Sequence, residues 1–197
     1  MSNNNGSSKN IVILENFISQ NDLEIIKNNI DINIEWTSYS QAGIPDKSSK
    51  NLETTNKILY SVLKKYIDKT QKEIEFFFGR PLEEGFPGLR EWNVGEFQPL
   101  HADGEDTDGH PNEAYIVDYG SVLYLTDEYK GGEIYFPDHD IDIKPNAGTL
   151  IFFPSNNFYN HGVKEITYGK RYTSAQFWIP TKYKILKEQI EKNRSNY

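Results

Sequence analysis

The sequence predicts a mainly β protein with flanking helices, an α+β chain whose core is an antiparallel jelly roll. From residue 88 onward, short β-rich runs are separated by Gly, Pro, Asn and Asp, a pattern that favours two packed sheets over alternating βαβ units. Two earlier segments have apolar residues at helical spacing. A chain of 197 residues can bury one good core but not two. We therefore predict a single domain over residues 10–197, with a helical buttress at about 19–80 and a β-rich core at about 88–180.

The N-terminal segment is predicted to contain a tail, a strand and a helix. Residues 1–9 are polar and are predicted to be disordered, whereas the apolar residues 11–14 are predicted to form a strand. Ser19 and Asp22 resemble a capping box, in which the two side chains satisfy free backbone N–H groups at a helix start. The helix is expected to continue to about Asn29.

A second, longer helix is predicted at about residues 52–77. Its apolar side chains recur at roughly helical spacing and are expected to pack on the sheet: Leu52, Leu59, Leu63, Tyr66, Ile67 and Ile74. Gly79 and Pro81 are predicted to end this helix, because glycine accepts the left-handed conformation at helix ends and proline cannot continue a helix.

The second half of the chain contains the predicted strands of the jelly roll. They lie at about residues 89–97, 115–126, 133–136, 141–144, 149–153, 162–166 and 171–179. A short polar helix is predicted to follow at 183–193.

Composition limits the cellular compartments and the classes of binding partner that are expected for this protein. The formal net charge of -8 disfavours nucleic-acid binding, which needs clustered Lys and Arg. The absence of cysteine fits a reducing compartment. There is no apolar stretch of transmembrane length, and the first residues lack the pattern of a secretory signal. We therefore expect a cytoplasmic protein that binds neither membranes nor nucleic acid.

Two histidines and an aspartate form a candidate metal site. His101 and Asp103 are two residues apart, so on a strand their side chains project to the same side. His161 follows a loop-like stretch and is placed where a later strand begins. Two imidazoles and one carboxylate can occupy one face of a six-coordinate metal and leave the other face open. These donors suit iron(II), manganese or zinc.

Arg171 shifts the balance among these metals towards iron. A guanidinium can hold a carboxylate through two parallel hydrogen bonds, as the far end of a bidentate keto acid would require. Thr173 lies two residues later on the same strand face and could add a hydroxyl to that carboxylate.

The second half of the chain resembles the iron(II)- and 2-oxoglutarate-dependent dioxygenases, and within them the prolyl 4-hydroxylase group. The resemblance extends from about residue 89 to 180 and rests on motifs in a fixed order: Gly95, His101-Ala102-Asp103, residues 122–127, Gly131-Gly132-Glu133 followed by Phe136-Pro137, Lys144-Pro145, Gly148, His161, Gly169-Lys170-Arg171 and Trp178. It implies a double-stranded β-helix, which is the jelly roll of this family.

The resemblance also implies roles for individual residues. His101, Asp103 and His161 would bind iron, and Arg171 would bind the distal carboxylate of 2-oxoglutarate. Tyr124 matches a tyrosine that supports the same carboxylate, and we keep it with Thr173 as a cofactor-binding candidate. Either residue could instead be an ordinary member of a buried strand.

Three positions depart from the family pattern. Collagen-type prolyl hydroxylases have lysine in place of Arg171, whereas related oxygenases use arginine. Gln98 and Trp92 stand where the family often has tyrosine, so contacts near the cosubstrate or substrate are expected to differ.

The other histidines and the acidic segment after Asp103 have simpler explanations. His110 lies in that segment and His139 in a turn-like sequence, and we predict that neither is a ligand. Residues 104–109 are interpreted as a solvated loop. The alternatives are an acidic rim that selects a basic peptide, or a calcium loop, but the segment lacks the terminal glutamate of such a loop.

The resemblance implies a hydroxylase that uses iron(II), 2-oxoglutarate and dioxygen, with ascorbate as reductant. The expected substrate is a protein or peptide, with proline as the hydroxylated residue. A free amino acid or small metabolite, and a noncatalytic 2-oxoglutarate-sensing module that binds peptides, are the alternatives. The polar, aperiodic residues 37–50 are predicted to be a lid that folds over the peptide.

Overall fold

A computed structural model describes residues 8–38, 47–84, 88–106 and 108–183. Its helices are α1 (Gln20–Asn29), α2 (Leu52–Thr55) and α3 (Lys57–Phe78). Its strands are β1 (Val12–Leu14), β2 (Glu35–Ser38), β3 (Lys47–Lys50), β4 (Leu82–Glu84), β5 (Gly88–Trp92), β6 (Gln98–His101), β7 (Tyr119–Tyr124), β8 (Lys130–Gly131), β9 (Ile134–Phe136), β10 (Ile141–Ile143), β11 (Leu150–Pro154), β12 (His161–Val163), β13 (Ile166–Tyr168) and β14 (Arg171–Pro180).

The strands form two main antiparallel sheets. The major sheet has the order β1-β11-β7-β14-β5-β3-β2, and β4 pairs with the far end of β14. The minor sheet has the order β10-β9-β12-β6, and β13 pairs with β8 separately. Because neighbours in these sheets are mostly distant in sequence, the long-range pairing decides which side chains meet.

The two faces of the major sheet have different roles. On β14, Tyr172 and Trp178 belong to the apolar core that includes Leu63 and Ile74 of α3. Arg171 and Thr173 point to the opposite face, where they line a cavity. Residues that alternate along a strand face opposite sides of a sheet, so the helices buttress one face and leave the other for the site.

The predicted cap of α1 is linked to α3. The Ser19 side chain accepts a hydrogen bond from the Asp22 amide, as predicted. Tyr66 of α3 accepts a hydrogen bond from the Ser19 amide and donates one to the Asp22 carboxylate at 2.6 Å. Lys65 also donates to this carboxylate at 2.8 Å. The hydrogen bonds from Lys65 and Tyr66 lower the pKa of Asp22 to about 2.

We expect Asp22→Asn to destabilise the protein by about 1 kcal/mol at neutral pH, after allowance for solvent screening. The lowered pKa makes the ionised Asp22 stabilising above its ordinary value of 3.8, and this contribution is lost as the pH falls from 3.8 towards about 2. Urea unfolding at several pH values should therefore show a difference from wild type that shrinks below pH 4. Asp68→Asn, which removes an exposed helix ion pair with Lys64, is the control and should cost only a few tenths of a kcal/mol.

The predicted helix at 52–77 is divided at Asn56. Asn56 accepts a hydrogen bond from the Leu59 amide and so caps α3. Its amide group donates to the carbonyls of Asn29, the last residue of α1, and of Ile32, shortly after it, each at 2.9 Å. Asn56 thus joins the start of α3 to the end of α1, and the long-range bonds favour a cap where apolar spacing alone predicts a continuous helix. Gly79 ends α3 in the left-handed conformation, as predicted.

Several predicted strand and loop boundaries were wrong. The run at 89–97 is interrupted after Trp92, because Gly95 has a φ of +90° and donates its amide to Ile166. The predicted run at 162–166 is likewise divided between β12 and β13. Both ends of the predicted lid are strands, β2 and β3, which pair with each other.

Three other expectations fall wholly or partly outside the described residues. These are the middle of the predicted lid, the C-terminal helix beyond residue 183 and most of the N-terminal tail, of which residues 8–10 form a 3₁₀ turn. Within the described part of the chain, every helix is too short or too polar to cross a lipid bilayer.

Candidate active site

Strand pairing brings the three predicted metal ligands together. His101 at the end of β6 is directly opposite His161 at the start of β12. Asp103 follows β6, with its Oδ1 atom 3.5 Å from His101 Nε2 and 3.9 Å from His161 Nε2. One ligand atom from each residue can be chosen so that all three lie within 4.8 Å of one another. Among the described residues, this is the one cluster of three or more His, Cys, Asp or Glu side chains with such spacing.

Backbone carbonyls orient both imidazoles. The Nδ1 atom of His101 lies 2.9 Å from the Pro99 carbonyl, and that of His161 lies 3.1 Å from the Tyr159 carbonyl. A carbonyl can only accept, so each Nδ1 carries a proton and each Nε2 is the ring nitrogen left to bind a metal. Such outer hydrogen bonds fix the tautomer of metal-binding histidines.

The charge states of the cluster also suit a divalent metal. Burial lowers the pKa of His161 to about 4, despite the nearby Asp103, so this imidazole is neutral at physiological pH. Burial alone would raise the pKa of Asp103, but His161, His101 and Arg90 together lower it below its usual value. The site therefore combines a neutral imidazole and an ionised carboxylate, the forms that bind metals.

Gly120 on β7 provides the space that Asp103 occupies. A Cβ atom at this position would lie 2.3 Å from Asp103 Oδ2 and 3.1 Å from Phe153. Any other residue would therefore displace the carboxylate or the strand. The requirement for glycine comes from this close approach, which the sequence pattern did not reveal.

We expect Gly120→Ala to reduce metal affinity at least about tenfold, because the Asp103 carboxylate must move out of its position beside the histidines. Manganese titration followed by electron paramagnetic resonance would measure the affinity. Thermal unfolding without metal would reveal any general loss of stability. Val122→Ala, on the same strand and also lining the cavity, is the matched control with a smaller expected effect on affinity. Equal metal affinities for Gly120→Ala and wild type would contradict this account.

Arg171 is buried in the same cavity without satisfying all of its donors. Its side chain is 1% exposed, and its Nε and Nη1 atoms have no hydrogen-bond partner among the described residues. The guanidinium lies 4.4 Å from the centre of the Trp92 ring and 5.0 Å from that of Tyr124. An unpaired buried guanidinium is costly, so this arrangement is suited to an anionic ligand that supplies the missing acceptors.

Hydroxyl groups around Arg171 complete the anion-binding pocket. The hydroxyls of Tyr124 and Tyr129 are also buried and have no partner among the described residues. Burial raises the pKa of Tyr124, and it raises that of Tyr129 to about 12, so both remain protonated donors at neutral pH. Thr173 accepts a hydrogen bond from Trp92 Nε1 at 3.1 Å and keeps its own proton for donation.

The Gly131-Gly132 pair allows close packing beside Arg171. Both glycines have a positive φ, near +70°. A Cβ at Gly131 would lie 2.0 Å from the Glu165 carbonyl, and one at Gly132 would lie 2.4 Å from Ile166 and 3.3 Å from Arg171. The motif that supported the family resemblance therefore allows β13 to pack closely beside the stem of Arg171.

Gln98 and Trp92, which depart from the family pattern, both line the cavity. The side-chain nitrogen of Gln98 lies 3.1 Å from His101 Nε2. This is the nitrogen that a metal would bind, so the Gln98 amide must move when the site is loaded. Trp92 stacks on Arg171 and supports Thr173, and it is thus part of the anion pocket.

The other two histidines lie apart from the triad. His110 is 80% exposed beside Asp108, which places it on the solvated loop that the sequence predicted. His139 stacks on Tyr159, with its Nε2 2.6 Å from the Phe158 carbonyl. The sequence analysis missed Arg90, which lines the cavity, and Tyr129, a buried side chain whose pKa is influenced by Arg171. Arg90 could have been noticed, because it is two residues before Trp92 and shares its strand face.

Residues 88–179, which contain all these site residues, match the 2OG-Fe(II) oxygenase superfamily. This part of the chain has the sequence features of a 2OG-Fe(II) oxygenase domain. Human prolyl 3-hydroxylase 2 is 38% identical over 85 residues, an alignment that covers 37% of the chain and 12% of that relative. The chain therefore corresponds to a small part of the length of this relative.

Solved structures share the fold of the oxygenase domain. A prolyl hydroxylase from Trichoplax adhaerens, in complex with a hypoxia inducible factor peptide fragment, has a TM-score of 0.63 at 17% identity, covering 93% of this chain and 88% of that one. HygX from Streptomyces hygroscopicus, with nickel, 2-oxoglutarate and hygromycin B bound, has a TM-score of 0.64 at 14% identity, covering 87% and 83%. The predicted jelly-roll fold and the resemblance to prolyl hydroxylase-like, 2-oxoglutarate-dependent dioxygenases are confirmed.

Proposed function

We propose that this protein is an iron(II)- and 2-oxoglutarate-dependent hydroxylase of a protein or peptide, with proline as the modified residue. The observation that carries the proposal is the combination in one cavity of the His101, Asp103 and His161 cluster with the buried, unsatisfied guanidinium of Arg171. A metal site alone would fit many hydrolases. A metal site beside a buried anion pocket fits a cosubstrate that has a chelating end and a distal carboxylate.

Each cavity residue has a defined part in this function. The Nε2 atoms of His101 and His161 and the carboxylate of Asp103 would hold the metal. Arg171 receives the distal carboxylate, and the hydroxyls of Tyr124, Thr173 and Tyr129 donate further hydrogen bonds to it. When bound, iron with 2-oxoglutarate and dioxygen supplies the oxidation of an unactivated C–H bond, coupled to formation of succinate and carbon dioxide.

The chain itself contributes orientation and exclusion of water. Phe153 and Phe136 pack on His161, with their ring centroids 4.5 and 5.3 Å from that of the imidazole. Apolar side chains therefore border the candidate metal-binding residues on this side. The Asp103 and His161 side chains are only 7% and 8% exposed. A site shielded in this way strengthens electrostatic contacts and limits side reactions with water.

Relatives support the choice of substrate. The similarity to prolyl 3-hydroxylase 2, together with a structural neighbour that holds a peptide, favours a prolyl residue of a protein or peptide. HygX, whose structure contains hygromycin B, motivates the second candidate, a small-molecule substrate on the same fold. Ascorbate is proposed as the reductant that keeps the iron divalent.

Succinate formation tests the proposal directly. Purified protein would receive iron(II), ascorbate and 2-oxoglutarate, with proline-rich peptides or with free amino acids, and products would be analysed by mass spectrometry. Peptide-stimulated succinate together with a mass gain of one oxygen on proline is the expected result. Stimulation by small molecules alone would support the second candidate. Tight 2-oxoglutarate binding without turnover under any condition would contradict both and support a sensor.

A further inference from the structure

Arg90 is a second guanidinium group in the catalytic cavity. It lies on β5 and lines the cavity together with Trp92 and Arg171. Strand pairing places Arg90 opposite Thr173, and Trp92 opposite Arg171. Arg90 therefore lies on the cavity wall one cavity-facing position away from the level of Arg171, the proposed cosubstrate anchor.

The charge of Arg90 has no partner within the described residues. The side chain is half-buried, and no hydrogen bond or ion pair joins it to another described residue. The negative charge of Asp103 acts on Arg90, but the ion-pair contacts of Asp103 within 4.0 Å are with His101 and His161. Burial lowers the pKa of Arg90, which reflects the cost of keeping this cation in the cavity wall.

With metal and cosubstrate bound, the positive charge of Arg90 would still lack a compensating negative charge. If the proposed function holds, the two positive charges of the metal and the one of Arg171 would balance the two negative charges of the cosubstrate and the one of the Asp103 carboxylate, with both imidazoles bound in their neutral form. Arg90 then adds one positive charge to a partly desolvated cavity. A partly buried cation without a partner is unfavourable, so the remaining component of the complex, the substrate, is the expected source of the compensating anion.

We propose that Arg90 is a specificity-determining residue that binds a carboxylate of the substrate close to the carbon that is hydroxylated. This inference rests on the proposed function and deepens it by naming a chemical requirement of the substrate. The guanidinium can hold a carboxylate through two parallel hydrogen bonds, which orients as well as attracts it. The carboxylate can come from an acidic side chain beside the target residue of a peptide, or from the α-carboxylate of a C-terminal residue or a free amino acid.

Paired substrates that differ only in this group provide the test. One pair is a proline peptide with a neighbouring Glu and the same peptide with Gln, and the other is N-acetylproline and its amide. Wild type, Arg90→Gln and Arg90→Lys would be compared by KM and kcat for succinate formation. Binding would be followed separately by thermal shift of protein loaded with manganese(II) and 2-oxoglutarate without oxygen. The control is Arg80→Gln, since Arg80 pairs with Asp118 outside this cavity.

We expect the acid of at least one pair to bind about tenfold more tightly than its amide, and Arg90→Gln to abolish this preference through KM. Arg90→Lys should restore part of it, and Arg80→Gln should leave it unchanged. The substrate pair that shows this preference identifies whether the carboxylate comes from a neighbouring acidic side chain or from an α-carboxylate. Equal binding of acids and amides by wild type would overturn the proposal. A loss of 2-oxoglutarate affinity in Arg90→Gln as large as in Arg171→Gln would also overturn it, because Arg90 would then serve the cosubstrate.

The binding measurement separates this proposal from the proposed function. Acid-dependent stabilisation that is lost in Arg90→Gln, in a protein that forms no succinate, would support recognition by Arg90 and reject the hydroxylase. Succinate formation without any preference for acids would retain the hydroxylase and reject the role of Arg90.

Discussion

Asp103→Ala is expected to abolish 2-oxoglutarate turnover and to lower metal affinity by at least about 100-fold. Asp103 is the only anionic member of the cluster, and its removal leaves only two imidazoles, neither of which is an anion, to bind a divalent cation. Loss of a mere outer hydrogen bond to a metal ligand already costs 10–100-fold, so loss of a charged ligand should cost more. Succinate assays and manganese titration would measure the two effects.

The surface residue Asp108 offers a matched control for Asp103. Its side chain is 67% exposed on the loop that follows the cluster, so Asp108→Ala removes the same charge without changing the site. We expect wild-type metal affinity and turnover from this variant. Full activity in Asp103→Ala would reject the metal-site assignment, whereas equal losses in both variants would indicate a long-range electrostatic effect.

The second large effect is expected from Arg171→Gln, which should weaken 2-oxoglutarate binding at least about 30-fold. Truncation of one partner of a buried charge pair costs about 2–5 kcal/mol, and the guanidinium is the central donor of the anion pocket. The KM for 2-oxoglutarate should rise more than kcat falls. Without cosubstrate, the same variant should be as stable as wild type or more stable, because it removes a buried charge whose Nε and Nη1 atoms are unsatisfied.

Calorimetric titration with 2-oxoglutarate and thermal unfolding without it would test both parts. Arg171→Lys keeps the charge but not the two-pronged contact, so an intermediate affinity is expected. Lys170→Gln is the matched control, because this side chain, just before β14, does not line the cavity and instead contacts Glu91 at 3.3 Å. Unchanged 2-oxoglutarate affinity in Arg171→Gln would reject the anchor role.

Arg171→Gln is expected to weaken 2-oxoglutarate binding without destabilising the free protein, because the anion pocket contains unsatisfied donors. The free protein keeps the guanidinium of Arg171 and the hydroxyls of Tyr124 and Tyr129 buried without partners, which costs stability. A ligand that supplies the acceptors recovers this free energy as affinity. Cosubstrate binding should accordingly raise the thermal stability of the wild type much more than that of Arg171→Gln.

Local patterns were enough for those features that depend on neighbours in sequence. The i and i+2 spacing placed His101 and Asp103 on one side of the chain, and Ser19 with Asp22 correctly marked the start of α1. The division of the long helix at Asn56 could not be seen locally, because it depends on hydrogen bonds to carbonyls more than twenty residues away. The β2–β3 pair was also missed, since the Lys and Ser residues of β3 show no alternation of apolar and polar side chains.

The sequence by itself determined the jelly-roll class, the family resemblance and the chemical types at the site, because these depend on composition, order and spacing. Only the tertiary structure decided that His161 lies opposite His101, that Gly120 makes room for Asp103, and that Arg90 faces the same cavity as Arg171. The physical reason is that antiparallel pairing joins strands far apart in the chain. Register and facing are set by packing over the whole sheet, and no single segment contains that information.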